Sequence, residues 1–317
     1  MQRCRKNHIV ALVVPGRDDK TFYKWFLRRV AELLSRCCGE NIDYIDLDAR
    51  QYAAEKRKLV EEIVPGGRGL EKWAAVSLAM NDGRRVDVLI GLPAIEALQD
   101  MIDATRIRDP VAAAAAALIG VLAVRRSSRF RLLVVADDAE GYGFAERLQR
   151  LENNIFNVYL HRFLSSGGAG INIAWNTVDF DETGHYYKQV NIGVRSSGYS
   201  FKVLLLVQGL EASIVGGVFP QLAQADRRAL EDFIVYAAGK YVAQIPDECL
   251  DALLGGERRR LHKKIVRLLT LALCHYELES AMSALLGPKG VEKLLMVHGG
   301  LRRLVDEIAV LLCCRGL

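Results

Sequence analysis

The stretch Ile9-Val10-Ala11-Leu12-Val13-Val14-Pro15-Gly16-Arg17-Asp18-Asp19 decides how the chain is read. Its first six residues form a nearly continuous apolar run, which a parallel strand buried on both faces requires, and Pro15-Gly16 ends it. Phe22, Trp25, Phe26, Leu27, Val30, Leu33 and Leu34 then recur at helical spacing, so the unit reads as strand, turn, helix. Asp18 or Asp19 is expected to cap the helix, because a short carboxylate accepts from the free first-turn N–H groups and favours the positive end of the helix dipole.

The same alternation continues outward. Residues 43–48 alternate polar and apolar as a second strand, 53–64 read as a helix, and 70–80 read as another helix before the turn Asn81-Asp82-Gly83. Residues 86–92 read as a strand, Pro93 opens a helix to about Thr105, Pro110 opens an alanine-rich helix, and 130–136 form a buried strand. Proline suits the first helical position because its missing N–H would have no partner there. Strands alternating with helices imply an α/β fold with a mainly parallel sheet and flanking helices.

Beyond Phe156 the rhythm changes to strands, expected at 157–163, 171–178, 189–194 and 201–207. The glycine-rich run Ser165-Ser166-Gly167-Gly168-Ala169-Gly170 lacks a following Gly-Lys-Ser/Thr and reads as a β-turn, not a phosphate cradle. After Gly217 only helical patterns remain, at about 220–243, 247–254, 257–279 and 289–313. The division that follows is an α/β domain over 1–215 and a helical C-terminal domain over 216–317.

Composition restricts the classes. A hydrophobic share of 51% is high, yet the greasiest window, residues 111–124, is mostly alanine and is followed by Arg125-Arg126. It falls short of the roughly 18 apolar residues that span a bilayer. No membrane segment and no secretory leader are expected, and the location expected is cytoplasmic. The net charge of +5 leans only weakly toward polyanions. Among seven cysteines, Cys37-Cys38 and Cys313-Cys314 are adjacent pairs and no Cys-x-x-Cys occurs. The spacing excludes a zinc site and reads most simply as reduced, buried thiols, the alternative being disulfides of the kind found inside hyperthermophiles.

In an open α/β sheet, ligands collect at the carboxyl ends of the parallel strands. Two acidic turns end such strands: Gly16-Arg17-Asp18-Asp19, and Asp137-Asp138-Ala139-Glu140 after the strand at 130–136. If the two strands are neighbours, the carboxylates form an oxygen-rich site suited to Mg²⁺ or Mn²⁺. Asp179, Asp181 and Glu182 are a further acidic group, read as a hairpin turn.

The turn Val14-Pro15-Gly16-Arg17-Asp18-Asp19 resembles the first motif of Toprim domains, in which a strand ends in Glu-Gly-x-x-Asp. Pro15 stands where that family has its acid/base glutamate. Asp138-Ala139-Glu140 resembles the family's Asp-x-Asp, and Gln208-Gly209-Leu210-Glu211 resembles a small-x-Glu segment of Toprim-related archaeal and bacterial proteins of unassigned function. The resemblance covers about residues 8–215. It implies Mg²⁺-dependent phosphodiester chemistry on DNA or RNA, with Asp138 and Glu140 holding metal, Asp19 assisting, and Asp18 a partial substitute for the missing glutamate. It also implies a weak or purely binding domain.

The strongest basic cluster is Arg258-Arg259-Arg260-Leu261-His262-Lys263-Lys264, with Arg267 one turn later. Near a helix start such charge opposes the dipole, so it reads either as a solvated face or as a strip contacting phosphates. The six histidines, His8, His161, His185, His262, His275 and His298, are scattered and spell no triad. A Rossmann-like sensor joined to a helical effector or oligomerisation domain also fits the organisation, and resembles the ligand-sensing proteins of CRISPR defence. Arg258 and His262 are spaced more closely than the Arg-x(4 to 6)-His of the helical ribonucleases in those systems, which favours a non-catalytic version. A homo-oligomer is compatible with either reading.

Overall fold

The computed structural model describes residues 7–64, 72–91, 109–137, 144–167, 173–182, 185–195, 197–207, 283, 286–287 and 289–312. Strands are β1 (Asn7–Val13), β2 (Ile42–Asp46), β3 (Trp73–Met80), β4 (Arg85–Gly91), β5 (Phe130–Asp137), β6 (Ile173–Glu182), β7 (His185–Val194) and β8 (Tyr199–Val207). Helices are α1 (Arg17–Cys38), α2 (Ala53–Ile63), α3 (Pro110–Arg125), α4 (Phe144–Asn153), α5 (His161–Gly167), α6 (Gly290–Val297) and α7 (Gly299–Leu311). A π-helical segment, Asn154–Leu160, joins α4 to α5.

The strands form one sheet in the order β2-β3-β4-β1-β5-β8-β7-β6. Its centre is parallel, since β1 pairs in parallel with β4 and β5, and β5 with β8. Its flanks are antiparallel hairpins, β2-β3-β4 on one side and β8-β7-β6 on the other. The mainly parallel sheet expected from sequence is therefore a mixed one with a parallel core.

Alternate residues of the central strands feed two cores, as a pleated strand requires. Val10, Leu12, Leu132, Val134, Leu204 and Leu206 face α1 and α7, while Ile9, Val13, Leu133, Val135, Leu205 and Val207 face α2, α3, α4 and the π-helical segment. Phe22, Trp25 and Phe26 of α1 are at most 2% exposed. Each such side chain contributes on the order of 1.5–3 kcal/mol by burial. The last helix is fastened over β7 and β8: Glu307 accepts from Lys202 at 2.7 Å, and Arg303 donates to Gln189 at 2.8 Å. α7 thus packs on the same sheet as α1. The helices expected over 93–105, 220–243, 247–254 and 257–279 lie outside the described residues.

Two expected elements change type. Residues 73–80, expected to be helical, form β3. Alanine content suggested a helix, but the run is apolar on both faces and enters the Asn81-Asp82-Gly83 turn, where Gly83 takes φ +86 and its N–H donates to the Met80 carbonyl. Pairing with β2 and β4 outweighs the local helix propensity. Residues 157–163, expected as a strand, lie in the π-helical segment and α5. Ile155, Phe156, Tyr159 and Leu160 are buried there, in the core that includes α3.

Alanine and glycine let α3 pack closely on its neighbours. A Cβ on Gly120 would come within 2.2 Å of the Phe163 ring, so the helix has no room for a larger residue at that position.

Candidate site at the carboxyl ends of β1 and β5

β1 and β5 are neighbours, with Val13 beside Val135, so the two acidic turns leave adjacent strand ends on the same edge of the sheet. From β1 the chain passes through α1 to β2 at one side, and from β5 it passes through α4 to β6 at the other. Connections therefore diverge above these two strands. In open α/β sheets, a divergence of this kind is where ligands are taken.

On the β1 side the helix starts earlier than the acidic residues suggest. Gly16 is the N-cap of α1 and no side chain makes a cap hydrogen bond. Asp18 and Asp19, expected to supply that cap, sit inside the first turn, where their charge still favours the dipole. Asp18 is exposed. Asp19 folds back toward the strand tip, and its Oδ2 lies 3.0 Å from where a Cβ on Gly16 would stand. Burial, and secondarily the Asp19 charge, push the Tyr23 phenol well above its ordinary value. Pro15 is exposed at the tip. Val14 continues the β1–β4 pairing by donating to the Gly91 carbonyl at 3.1 Å.

On the β5 side a buried charged cluster closes the strand. Asp137, 7% exposed, is ion-paired with Arg147 of α4. The same guanidinium reaches Asp109 at 3.1 Å, and Asn154 donates to that Asp109 oxygen at 2.9 Å. Asp109 also caps α3, its Oδ1 accepting from the Ala112 N–H at 3.1 Å. Burial alone would lower the Arg147 pKa, but the adjacent Asp137 and Asp109 carboxylates raise it, so the guanidinium stays charged. Asn154 is the first residue of the π-helical segment, whose wider turn presents it toward Asp109.

A second polar cluster lies on the same edge beyond β2. Lys24 of α1 contacts Asp46 at 2.7 Å and Asp48 at 3.0 Å, and Lys56 of α2 contacts Asp48 at 2.8 Å. Asp48 also accepts from the Ala75 N–H at 3.2 Å. Burial would raise the Asp48 carboxyl, yet hydrogen bonds from Lys56 and Lys24 hold it below the usual range. Two carboxylates matched by two lysines make a neutral clamp between α1, α2 and β3.

Neither cluster was singled out from sequence. Asp109 was legible, since Asp-Pro before an alanine-rich run is a helix start. Arg147 carried no comparable signal, because its partners lie 38 and 10 residues away.

Asp138, Glu140 and the basic residues Arg258, Arg259, Arg260, Lys263, Lys264 and Arg267 lie outside the described residues. Among the described residues no three His, Cys, Asp or Glu side chains are grouped to hold a metal ion, and no helix is long and apolar enough to cross a membrane. Comparisons with protein-family models, curated proteins and solved structures returned no match.

Proposed function

We propose that the chain binds nucleic acid at the carboxyl ends of β1 and β5 as a degenerate Toprim-like domain, with Mg²⁺ or Mn²⁺ between its carboxylates and a phosphate. The observation that supports this most is the parallel adjacency of β1 and β5, because it sets the turn bearing Asp18 and Asp19 beside the strand that runs into Asp138. Asp137 is ion-paired with Arg147, so on this reading the ion is held by Asp138 and Glu140, which follow β5 in the sequence, with Asp19 of the neighbouring turn assisting. All are hard oxygen ligands of the kind Mg²⁺ and Mn²⁺ take. A bound ion would neutralise phosphate charge there.

Pro15 has no proton to give or take, so the chain on this reading binds DNA or RNA, or processes phosphodiesters weakly, in a cytoplasmic setting. Arg258, Arg259, Arg260, Lys263, Lys264 and Arg267 would add contacts to the phosphate backbone.

One observation favours a second reading, a nucleotide sensor of Rossmann-like type whose C-terminal helices act as effector or oligomer interface. The described carboxylate at the β5 tip is neutralised by a half-buried arginine, which suits a fixed binding wall better than a metal centre.

Calorimetry with Mn²⁺ separates the two. On the leading reading the wild type gives saturable heats in the millimolar range and Asp138→Ala abolishes them, together with Mn²⁺-dependent retention of single-stranded DNA or RNA. Identical heats from both proteins, or none at millimolar Mn²⁺, overturn the metal reading and leave the sensor.

A further inference from the structure

The two edges of the sheet are finished differently. β2, at one edge, has five residues, two of them carboxylates. Asp46 is ion-paired with Lys24 at 2.7 Å, and the Arg28 guanidinium lies over the Tyr44 ring at 5.1 Å. Short length and charge are the usual means of keeping a strand edge from pairing with another chain. β6, at the other edge, has ten residues in unbroken register with β7, from Ile173 beside Val194 to Glu182 beside His185, so no bulge turns its outer edge away. Among the described residues no strand pairs with that outer edge.

The first six residues of β6, Ile173-Ala174-Trp175-Asn176-Thr177-Val178, contain neither a charge nor a proline. Five large apolar side chains are exposed among the described residues, and two of them are here, Trp175 at 40% and Val178 at 37%. The strand is held from behind. Trp175 stacks on Phe156 of the π-helical segment with ring centroids 5.6 Å apart, and Thr177 donates to Glu152 of α4 at 2.7 Å. An edge fixed in this way loses little freedom on pairing.

We propose that β6 pairs antiparallel with β6 of a second copy of the chain, about a two-fold axis at Asn176, joining the two sheets into one. That register sets Trp175 of one protomer opposite Thr177 of its partner, and Ala174 opposite Val178. Aromatic with β-branched and small with large are favourable cross-strand pairs, and the two-fold axis makes each of them twice. The uncharged segment calls for no oppositely charged partner. Asp179, Asp181 and Glu182 follow it at the carboxyl end of β6. Antiparallel pairing carries the two acidic ends to opposite ends of the ladder, whereas parallel pairing would set like charges side by side, which is destabilising.

Sedimentation velocity of the full chain tests this. At about 100 µM, well above the micromolar constants at the weak end of specific interfaces, the wild type should have the mass of two chains and fall toward one on dilution. Asn176 is exposed. Asn176→Lys sets two ammonium groups against each other on the axis, and together with Val178→Lys it should give a monomer that melts as the wild type does. Met296→Lys, at a 78% exposed position on α6, should leave the dimer intact. A covalent check is independent of the lysines. Directly opposed residues of an antiparallel pair have Cα atoms about 4.5–5.5 Å apart, within the span of about 4.4–6.8 Å that a disulfide takes. Asn176→Cys should therefore cross-link two chains in oxidised glutathione, read by mass spectrometry as two copies of the same peptide joined at position 176. Cys37, a free exposed thiol, is replaced by serine in that background, while Cys38, which is disulfide-bonded and so corrects the expectation that every cysteine is reduced, is left in place. A wild-type monomer at that concentration, which would leave the edge to a different protein, a dimer that survives both lysines, or no link at position 176 overturns the proposal.

Discussion

Arg147 is ion-paired with Asp137 at the carboxyl end of β5, and the same guanidinium holds Asp109 at the start of α3. One cation therefore ties the tip of a central strand to the first turn of the helix that precedes it. Part of the acidity that marks this edge in the sequence is spent on structure.

Removing that cation should be costly, because both carboxylates are at most 7% exposed and the Arg147 charge that faces them would be gone. Arg147→Met is expected to lose about 3–5 kcal/mol. Urea unfolding checks this, and Asp137→Asn in the same background should recover part of the loss. A Met variant within about 0.5 kcal/mol of wild type would show that the pair contributes little.

Gly120→Ala tests the close packing of α3 on the segment that follows α4. The new methyl group would overlap the Phe163 ring, whose nearest atom lies 2.2 Å from the built Cβ. Overpacking of this kind costs about 1–3 kcal/mol, against the gain of about 0.5–1 kcal/mol that Gly→Ala usually brings within a helix. Phe163→Ala in combination should relieve the overlap, read as a double-mutant cycle in thermal unfolding.

The elements legible from sequence are those whose local pattern agrees with their place in the sheet. Val10 to Val14 could only be a central strand, and Asp109-Pro110 could only open a helix. β3 was misread because Ala74, Ala75 and Ala79 favour a helix locally, while pairing on both sides, which is a non-local matter, decides the outcome. Residues 157–163 were misread because their aromatic and branched residues suit a strand, and the burial of Tyr159 and Leu160 in the core with α3 selects a π-helical turn running into α5 instead. The site followed the same rule. The acidic turns were visible, but the matching of Asp137 and Asp109 by Arg147, and of Asp46 and Asp48 by Lys24 and Lys56, arises only when separate elements meet.

The clamp at Asp48 gives a pH dependence with a definite sign. Its carboxyl is held below the usual range by Lys56 and Lys24 against the opposing effect of burial, so the folded pKa is lower than the unfolded one. A depressed carboxylate contributes stability above the unfolded value of about 4, and that contribution is lost as pH falls through the folded value. The stability difference between wild type and Asp48→Asn should be greatest above about pH 4 and shrink below it. Added salt should narrow the difference, since the group is only half-buried. Guanidinium titrations between about pH 2 and 6 measure it, and a gap that widens on acidification would contradict the geometry.

The basic cluster at 258–267 carries the sharpest test of nucleic-acid binding. If Arg258, Arg259, Arg260, Lys263 and Lys264 contact phosphates, each contact releases condensed counterions, so log K should fall with log salt at about −0.7 to −0.9 per contact. Replacing Arg259, Arg260 and Lys263 by glutamine removes three such contacts and should flatten the slope by about 2 to 3. Exposed substitutions usually change stability by less than about 0.5 kcal/mol, so the triple variant should unfold at the wild-type midpoint. Fluorescence anisotropy with a labelled single strand across a salt series reads both affinity and slope. A triple variant with an unchanged slope would mean that the cluster is a solvated helix face, and would shift the reading of the chain to the nucleotide sensor.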